Sequence, residues 1–391
     1  MKYKRIFTIV LDSFGVGHAI DKEKFGDSIA NTALHIDKHV NGLNVPTLEK
    51  LGFGHLDSYI GIKPIKDFIG YVGRLSETSN GKDTMTGHWE MMGINTQVPF
   101  KVFTDTGFPK ELINLLEEKT GHKIIGNKSA SGTEIIKEYG ERQLETGELI
   151  VYTSSDSVLQ IAVNESIVPV EKLYEYCEIA RDITMKEEWK VGRIIARPFI
   201  GTNKDNFKRT PKRHDYALSP SSDTYLDLLL NNGYSVISVG KIADIFNNKG
   251  IGESNKTVSN EDGMNKTIEI AKNKDFEGLC FVNLVDFDME YGHRRNTEGY
   301  AKCLEDFDKQ LAELIPLLKE DDLLILTADH GNDPTAPGSD HTREEVPFIL
   351  YSPSFKEGKL IEKGNTFANI GATIAANFGL SNNDLLGKNI L

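Results

Sequence analysis

Acidic and histidine side chains stand just past apolar runs at three widely separated places in this chain. Short, continuous apolar runs are typical of buried strands. In an open α/β sheet, ligands bind outside the carboxyl ends of the strands, so such endings converge on one crevice even when they are far apart in sequence. The runs and the polar residues behind them are Ile6–Leu11 with Asp12, Leu279–Val285 with Asp288 and His293, and Leu323–Thr327 with Asp329 and His330.

Apolar runs alternate with amphipathic segments at both ends of the chain. Tyr234–Val239 and Pro347–Tyr351 are further candidate strands, while the apolar residues between Tyr300 and Leu318 fall at helical spacing and Phe367–Phe378 is a second predicted helix. The polar stretch Asn247–Asn260 is predicted to be a loop. Strands of this apolar kind suit a sheet that is covered on both faces. The pattern predicts an α/β fold with a largely parallel sheet sandwiched by helices.

The stretch from residue 97 to 217 is different, because it has no cluster of metal-type side chains. A chain of 391 residues exceeds the roughly 250–300 residues at which one core stops growing, so two domains are expected. Both flanks contribute to the crevice, which predicts a discontinuous core of residues 1–96 and 218–391 with an inserted α+β cap domain, 97–217. The elements predicted in the insertion are helices Lys110–Lys119 and Val170–Lys190 and strands Leu149–Tyr152 and Arg193–Ala196.

Charge and cysteine content exclude several classes of function. The formal net charge of −13 argues against general affinity for nucleic acid or for acidic membranes, which clustered Lys and Arg would provide. Cys177, Cys280 and Cys303 fit neither a zinc spacing nor a disulfide framework, and no apolar run approaches the roughly 20 residues that span a bilayer. We therefore expect a soluble cytoplasmic protein that acts on small molecules. The sequence leaves the oligomeric state open, and a monomer is compatible with it.

The candidate ligands combine carboxylates and imidazoles. One Asp or His alone is more often a helix cap or a surface residue, but six of them behind strands and in one loop indicate a metal site. Six protein ligands and a bridging group match two ions about 3.5–4 Å apart, the geometry that clamps an in-line phosphoryl displacement. Oxygen and nitrogen ligands without thiolate suit Mn²⁺ or Zn²⁺ and disfavour Ca²⁺. The six are Asp12, Asp288, His293, Asp329, His330 and His341.

The stretch Ser79–Glu90, SNGKDTMTGHWE, contains a candidate nucleophile. A nucleotide-binding P-loop would need Gly at position 76, which is Ser, and Ser or Thr at position 83, which is Asp, so that reading fails. Thr84 becomes a nucleophile if the metals activate its hydroxyl. The alternative is that Asn80-Gly81 forms a turn and Thr84 caps a helix, and without the metal residues that alternative is favoured.

The segment Arg193–Arg213 suggests a negatively charged substrate. It holds seven basic residues against one acid, Asp205, in a chain that is acidic as a whole. Arg binds phosphate through two parallel hydrogen bonds, so the segment is a plausible phosphate clamp. A solvated basic loop is the alternative, and for any single base it is the better interpretation.

Together these residues resemble the phosphopentomutases of the alkaline phosphatase superfamily. The resemblance extends over nearly the whole chain, and its metal motifs specify only the superfamily. GKDT followed by GHWE, with RHDYAL in the insertion, is specific to phosphopentomutases. The motifs are LDSFGVG, GKDTMTGHWE, YTSSDSVLQIA, RTPKRHDYAL, NLVDFDMEYGHRR, TADHGNDPT and SDHTREEVP.

The resemblance implies interconversion of ribose 1-phosphate and ribose 5-phosphate, and of the 2-deoxyribose pair, through a bisphosphorylated sugar. It implies two Mn²⁺ ions, bridged by Thr84, which carries the phosphoryl group. It also implies that a sugar bisphosphate such as glucose 1,6-bisphosphate first phosphorylates the enzyme. The implied ligands are Asp12, Asp329 and His330 for one ion and Asp288, His293 and His341 for the other.

The resemblance further implies contacts to the sugar phosphate from Asp156, Arg193 and Arg209 in the insertion and from Lys241 in the core. His18 stands where related chains often have an acid, which suggests a small change at the entrance and no change of chemistry. Rival functions are a phosphomonoesterase or phosphodiesterase, a cofactor-independent phosphoglycerate mutase, and a sugar-phosphate-binding protein without turnover. The phosphoglycerate mutases use a Ser nucleophile, so Thr84 counts against them.

Overall fold

The computed structural model describes residues 2–154 and 156–391. Its strands are, in chain order, β1 (Arg5–Leu11), β2 (Tyr71–Leu75), β3 (Ile124–Ser129), β4 (Leu149–Thr153), β5 (Val158–Asn164), β6 (Arg193–Ile200), β7 (Lys208–Arg209), β8 (His214–Ala217), β9 (Ser235–Val239), β10 (Glu253–Asn255), β11 (Gly278–Leu284), β12 (Asp322–Thr327), β13 (Val346–Tyr351) and β14 (Lys359–Leu360).

The helices are, in chain order, α1 (Thr32–His39), α2 (Pro46–Leu51), α3 (Thr84–Met91), α4 (Lys110–Thr120), α5 (Gly132–Thr146), α6 (Val170–Ile183), α7 (Tyr225–Asn231), α8 (Ile242–Ile245), α9 (Asn260–Asn273), α10 (Thr297–Leu314) and α11 (Asn369–Asn377). Short 3₁₀ turns cover Lys22–Phe25, Phe53–His55, Glu187–Trp189 and Ile315–Leu317, and one π-helical turn covers Phe287–Gly292.

The chain divides into two compact units. Unit 1 consists of the residues up to Pro99 together with Ser219–Leu391, and unit 2 is Phe100–Leu218. That unit 2 serves as a cap stays a prediction.

The sheet of unit 1 has the strand order β10-β9-β11-β1-β12-β13-β2-β14. The strands from β10 to β12 in this order are parallel to their neighbours, whereas β13 runs antiparallel to both β12 and β2. Every residue of β1, β11 and β12 is buried. Continuous burial of this kind is what a parallel sheet covered on both faces requires. The predicted fold class is confirmed.

Helix α10 shows how local sequence sets a helix in this unit. Its first turn is capped by the side chain of Asn296, which accepts a hydrogen bond from the backbone N–H of Gly299. The buried residues Tyr300, Leu304 and Leu311 lie on one face of the helix. The apolar spacing predicted helix as far as Leu318, but helix α10 ends at Leu314 because Pro316 has no N–H group to continue the hydrogen-bond ladder, and the chain goes on as the 3₁₀ turn Ile315–Leu317.

Two other sequence predictions were wrong in detail. Helix α6 ends at Ile183 rather than continuing to Lys190, and the Thr184 hydroxyl donates to the carbonyl of Ala180 at that end. The stretch from residue 247 to 260 contains β10, which pairs with β9 in parallel. Its sequence, Glu-Ser-Asn, has no strand propensity, so the pairing depends on the neighbouring strand rather than on local preference.

Unit 2 has its own sheet, in the order β3-β4-β5-β6-β7, with β8 also paired to β6. Alternate residues of β4 belong to different apolar clusters, because successive side chains in a strand point to opposite faces. Leu149 and Val151 pack with Leu112 and Leu173 of helices α4 and α6. The intervening residues Ile150 and Tyr152 pack with Ile135 and Ile136 of α5.

Within the described part of the chain, none of the helices combines the length and the apolar character that crossing a bilayer demands.

Candidate active site

The carboxyl ends of three adjacent strands carry four of the candidate ligands, while His293 and His341 lie farther along the segments that follow β11 and β12. The order β11-β1-β12 places these strands side by side and parallel, so their ends meet at one edge of the sheet. Asp12 directly follows β1, and Asp329 and His330 follow β12 within three residues of its end. Asp288 lies in the π-helical turn after β11. Such turns are rare and occur frequently at functional sites.

One group of ligand atoms comes from Asp12, Asp329 and His330. The ligand atoms of these three residues all lie within 4.8 Å of one another. His330 Nε2 is 3.5 Å from Asp12 Oδ1 and 3.2 Å from Asp329 Oδ2. All three side chains are buried. The structure therefore brings together one predicted ligand set.

The second group is centred on Asp288. Its carboxylate lies within 4.8 Å of ligand atoms from His330 and His341, which are themselves within that distance of each other. His293 joins it, with Nε2 at 3.1 Å from Asp288 Oδ2 and 3.1 Å from His341 Nε2. The second predicted set, Asp288, His293 and His341, is thus brought together beside the first, and His330 lies close to both.

Backbone carbonyls orient two of the imidazole rings. His293 Nδ1 lies 2.7 Å from the carbonyl oxygen of Ser339, and His330 Nδ1 lies 3.0 Å from that of Gly331. A carbonyl oxygen only accepts hydrogen bonds, so each Nδ1 carries the proton. In a neutral ring the lone pair then resides on Nε2, which faces the carboxylates. A hydrogen bond of this kind is the usual support for a metal-binding histidine.

Hydrogen bonding is incomplete at two carboxylates of the site, although the His330 ring lies within 3.5 Å of Asp12 and 3.2 Å of Asp329. Asp12 Oδ1 and Asp329 Oδ2 are buried and make no hydrogen bond with any described residue. The Nε2 atoms of His293 and His341 are 3.1 Å apart, which is unfavourable for two lone pairs unless a cation or a proton lies between them. Buried polar atoms normally have partners. The residues present therefore fit divalent cations held by oxygen and nitrogen ligands.

The electrostatics of the three carboxylates differ. Burial, and then the neighbouring charges of Asp329 and Asp288, raise the pKa of Asp12 to about 7. Burial alone would raise the pKa of Asp329 as well, but His330 and His88 hold it below its usual range. His341 and His293 likewise override burial and lower the pKa of Asp288. Carboxylates held ionised beside imidazoles are available as ligands.

Thr84 is the first residue of helix α3, and Asp83 precedes it as the N-cap. The Asp83 carboxylate accepts the backbone N–H of Thr86 at 3.0 Å, so the alternative in which Thr84 caps the helix is wrong. The Thr84 hydroxyl oxygen lies 3.2 Å from His330 Nε2. The side chain therefore faces the ligand cluster from the end of a helix whose N-terminal dipole favours negative charge.

The motif GHWE continues helix α3 and joins it to the site. A Cβ at Gly87 would lie 2.1 Å from the carbonyl oxygen of Asp329, so only glycine allows this close approach. His88 Nδ1 is 2.8 Å from the Thr84 carbonyl oxygen and 3.2 Å from Asp329 Oδ2. The Glu90 carboxylate accepts backbone N–H groups from the preceding segment.

Sequence reasoning missed three side chains that support the ligands. The first is His88, which the sequence analysis named only as part of the motif GHWE. Asn283 donates to Asp12 Oδ2 at 2.8 Å, and Asn332 donates to Asp288 Oδ1 at 2.7 Å. A polar residue in the buried strand β11, and an Asn two residues after His330, were the available signals.

The candidate substrate contacts belong to different units. In unit 2, an Arg193 guanidinium nitrogen lies 3.3 Å from Asp156 Oδ2, so these two residues are brought together. Arg209 lies on β7, opposite Phe199 of β6. Lys241 belongs to unit 1 and precedes helix α8 as its N-cap residue.

The basic segment Arg193–Arg213 is partly neutralised by acids of unit 2. Lys212 pairs with Glu165 at 2.6 Å, and Arg213 pairs with Asp215 at 2.6 Å. His18 adopts a left-handed backbone conformation with φ of 63°, and its Nε2 lies 2.8 Å from Asp57 Oδ2. His18 therefore has an acidic partner within unit 1.

A family model described as the metalloenzyme superfamily matches residues 4–382. The solved structure of the PH0037 protein from Pyrococcus horikoshii resembles the fold, with a TM-score of 0.51 at 13% identity, over 98% of this chain and 99% of that one. The family match, together with the cluster of carboxylates and imidazoles, defines the class of protein: the chain is a metalloenzyme of the alkaline phosphatase superfamily.

Curated relatives identify the family within this class to which the chain belongs. The phosphopentomutase of Clostridium perfringens strain 13 is 59% identical over 379 residues, which are 97% of this chain and 96% of the relative. That of Clostridium botulinum strain Alaska E43 is 56% identical over 391 residues, 100% of this chain and 98% of the relative. The chain belongs to the phosphopentomutase family, whose members are isomerases. The resemblance and the enzyme class expected from sequence are confirmed.

Proposed function

We propose that the enzyme interconverts ribose 1-phosphate and ribose 5-phosphate, and the 2-deoxyribose pair, through a phosphorylated Thr84. The observation that carries this proposal is the position of the Thr84 hydroxyl, 3.2 Å from His330 Nε2 within the ligand cluster. A hydroxyl on the first turn of a helix, beside buried ligands, is placed to accept and return a phosphoryl group.

We assign two Mn²⁺ ions to the cluster. Asp12, Asp329 and His330 would hold one ion, and Asp288, His293 and His341 the other. The support is the ligand distances and the buried oxygens of Asp12 and Asp329 that make no hydrogen bond with a described residue. When bound, the cations would supply positive charge that stabilises the transferring phosphoryl group.

The proposed cycle begins with phosphorylated Thr84. The bond between Thr84 Oγ1 and phosphorus breaks, a bond between phosphorus and the free sugar hydroxyl forms, and the hydroxyl proton ends on Thr84 Oγ1. The bisphosphorylated sugar then presents its other phosphate: the bond between that phosphorus and its sugar oxygen breaks, the phosphorus bonds to Thr84 Oγ1, and the Oγ1 proton passes to the sugar oxygen that has lost the phosphoryl group. A sugar bisphosphate such as glucose 1,6-bisphosphate supplies the first phosphoryl group.

Unit 2 is proposed as a cap that excludes water while the intermediate reorients. It is inserted between two parts of the chain that build unit 1, and exclusion of water by a closing element is how mutases avoid hydrolysis. Asp156, Arg193 and Arg209 of unit 2, with Lys241 of unit 1, are the proposed contacts to the sugar phosphate. The cysteines are free thiols, which fits the cytoplasmic location we propose.

The test follows product and phosphoenzyme together. The full chain is incubated with Mn²⁺, glucose 1,6-bisphosphate and ribose 1-phosphate, and ribose 5-phosphate and inorganic phosphate are measured. Ribose 5-phosphate should form with little free phosphate, and peptide mapping should find phosphate on Thr84. Equal rates of phosphate release and substrate loss would identify a phosphatase instead.

Two variants complete this experiment. Thr84→Ala should retain Mn²⁺ and lose essentially all turnover, because the covalent step needs the hydroxyl. The matched control is Thr146→Ala, since the Thr146 side chain is exposed and its hydroxyl donates to the carbonyl of Arg142 in helix α5. An active Thr84→Ala enzyme, or phosphate on another residue, contradicts the phosphothreonine mechanism.

A further inference from the structure

Arg343 is a buried guanidinium two residues beyond the candidate ligand His341. Its side chain is 2% exposed, and it is among the largest fully buried side chains of the described residues. Burying a charge is costly unless it is paired and hydrogen-bonded. The partners of this side chain therefore show what the buried charge holds in place.

All five N–H donors of the Arg343 guanidinium are used. Nε and Nη2 donate to the two carboxylate oxygens of Asp21 at 3.1 and 2.9 Å. Nη2 also donates to the carbonyl oxygen of Glu77 at 2.9 Å, and Nη1 donates to the Glu77 carboxylate and to the carbonyl oxygen of Gly81 at 2.6 Å. A planar fork with five donors makes this arrangement possible, whereas Lys has three donors at one point.

The residues held by Arg343 lead directly to Thr84. Glu77 and Gly81 mark the two ends of the segment before the N-cap Asp83. A Cβ at Gly81 would lie 2.6 Å from Thr86 Oγ1, so the segment packs tightly against the first turn of helix α3. A displacement of residues 77–81 would therefore be passed on to the start of the helix.

A second connection runs in parallel through Asp27. Its Oδ2 atom accepts the backbone N–H of Arg343 at 2.9 Å and lies 3.1 Å from Lys82 Nζ. Lys82 Nζ is also 3.2 Å from Asp340 Oδ2, next to His341. The chain segment that contains His341 and the segment that precedes Thr84 are thus joined at several points.

We propose that Arg343 is a positioning residue for the phosphoryl transfer, because it sets the Thr84 hydroxyl against the ligand cluster. This inference rests on the proposed phosphorylation of Thr84. Reaction rates depend steeply on such placement, and a shift of about 1 Å costs on the order of 10²-fold. Arg343 touches neither substrate nor the transferred group in this role, so its loss should slow turnover and leave substrate binding unchanged.

The chain offers a matched control in Arg5. This residue is also 2% exposed, and Nε and Nη2 donate to the Asp322 carboxylate at 2.9 and 2.6 Å. It lies at the start of β1, whereas Asp12 lies just past the other end of that strand. Replacement of either arginine by Lys removes a buried fork, but only Arg343 is connected to the segment before Thr84.

The experiment compares Arg343→Lys, Arg5→Lys, Thr84→Ala and the wild type at a temperature where each is folded by circular dichroism. Bound Mn²⁺, kcat, KM and the rate at which glucose 1,6-bisphosphate phosphorylates Thr84 are measured. For Arg343→Lys we expect kcat and the phosphorylation rate to fall by about 10²-fold. Its KM should change by less than about 3-fold, with the Mn²⁺ content kept. Arg5→Lys should match the wild type in all four.

A milder variant keeps the test decisive if Arg343→Lys does not fold. Asp21→Asn replaces one acceptor of the fork by an amide donor on a side chain that is 34% exposed, and it should lower kcat and the phosphorylation rate by about 3- to 10-fold. Wild-type rates in the folded Arg343 or Asp21 variant, or an equal loss in Arg5→Lys, overturn the inference. If the wild type itself carries no phosphate on Thr84, the proposed function fails instead.

Discussion

The buried charges at the two ends of strands β1 and β12 differ in how completely other groups of the protein pair with them. At the amino ends, Arg5 and Asp322 are register partners and form an ion pair that is almost fully buried. At the carboxyl ends of the same strands, Asp12 and Asp329 are equally buried, yet each has an oxygen that makes no hydrogen bond with a described residue. The paired charges of Arg5 and Asp322 stabilise the fold, whereas the incompletely paired carboxylates of Asp12 and Asp329 are available to a ligand.

Hydrogen bonds within the protein compensate the buried charges at the amino ends of the two strands, which we call the closed end. The carboxyl ends, where Asp12 and Asp329 each keep an oxygen without a hydrogen bond to a described residue, are the open end. The Nη1 atom of Arg5 donates to the carbonyl oxygens of Ala271 and Lys274, while Asp322 also accepts the backbone N–H of Lys319. These contacts compensate both charges within the protein. At the other end Asn283 satisfies one oxygen of Asp12, and the remaining negative charge is available to a cation.

The strongest test of the open end is Asp329→Asn. We expect it to lose cation binding and at least about 10³-fold in turnover, because an amide of the same shape cannot supply the negative charge. Metal analysis and kcat measure both effects. Asp37→Asn is the control, since Asp37 is fully buried and accepts backbone N–H groups of Leu43 and Gly61. A metal-loaded, active Asp329→Asn enzyme would show that the open end does not need this negative charge, and would contradict the difference drawn between the two ends.

At the closed end, Arg5→Met should lower the free energy of unfolding by about 3–5 kcal/mol, because it leaves the buried Asp322 charge unpaired. Urea titration measures this loss. The kcat of the folded variant should equal that of the wild type. Removing both charges in Arg5→Met with Asp322→Leu should recover most of the stability, and a double variant as unstable as the single one would contradict the explanation.

Removal of the cation should lower the free energy of unfolding, because the buried carboxylates at the open end then lack a positive partner. Wild-type protein in a chelator should unfold at lower urea concentration than protein in Mn²⁺, by about 2.7 kcal/mol when free Mn²⁺ is 100 times its dissociation constant. Arg5→Met should show the same difference, because its defect lies at the other end of the strands. Stability that does not respond to Mn²⁺ would mean that the cluster needs no cation.

The smallest expected effect is a pH dependence in the metal-free protein. Burial raises the pKa of Asp12 to about 7, above its value in the unfolded chain, so ionisation of Asp12 opposes folding as pH rises from about 4 through 7. In chelator, Asp12→Asn should therefore already be more stable than wild type at about pH 5.5, by about 2 kcal/mol, and similar to it near pH 4. Urea titrations at both pH values measure this. A constant difference would contradict the assignment to Asp12.

Much of this molecule could be predicted from local sequence. The strands β1, β11 and β12 follow from continuous apolar runs, and the ligands follow from the acidic and imidazole residues just past them. Parallel strands place such endings at one edge of a sheet whatever their separation along the chain. The sequence therefore predicts that the six candidate ligands and Thr84 are neighbours, and the structure brings these side chains together, while their roles stay predictions.

The predictions failed where local preference competes with the rest of the chain. The residues after Ile183 have an amphipathic pattern but leave the helix, and Glu253–Asn255 forms a strand only because β9 is beside it. Neither outcome is encoded in a short window, since strand pairing and helix ends depend on partners that are distant in sequence.

The sequence by itself determined the fold class and the residue types of the candidate site, because strand periodicity and ligand chemistry are local properties, and its motifs carried the resemblance to the family. Tertiary structure alone decided which groups support them. His88 reaches Asp329, Asn283 reaches Asp12, and Arg343 reaches both ends of the segment before Thr84, over separations that no pattern along the chain records. Buried polar groups take whichever partners the fold brings within hydrogen-bonding distance, so these contacts exist only once the chain has packed.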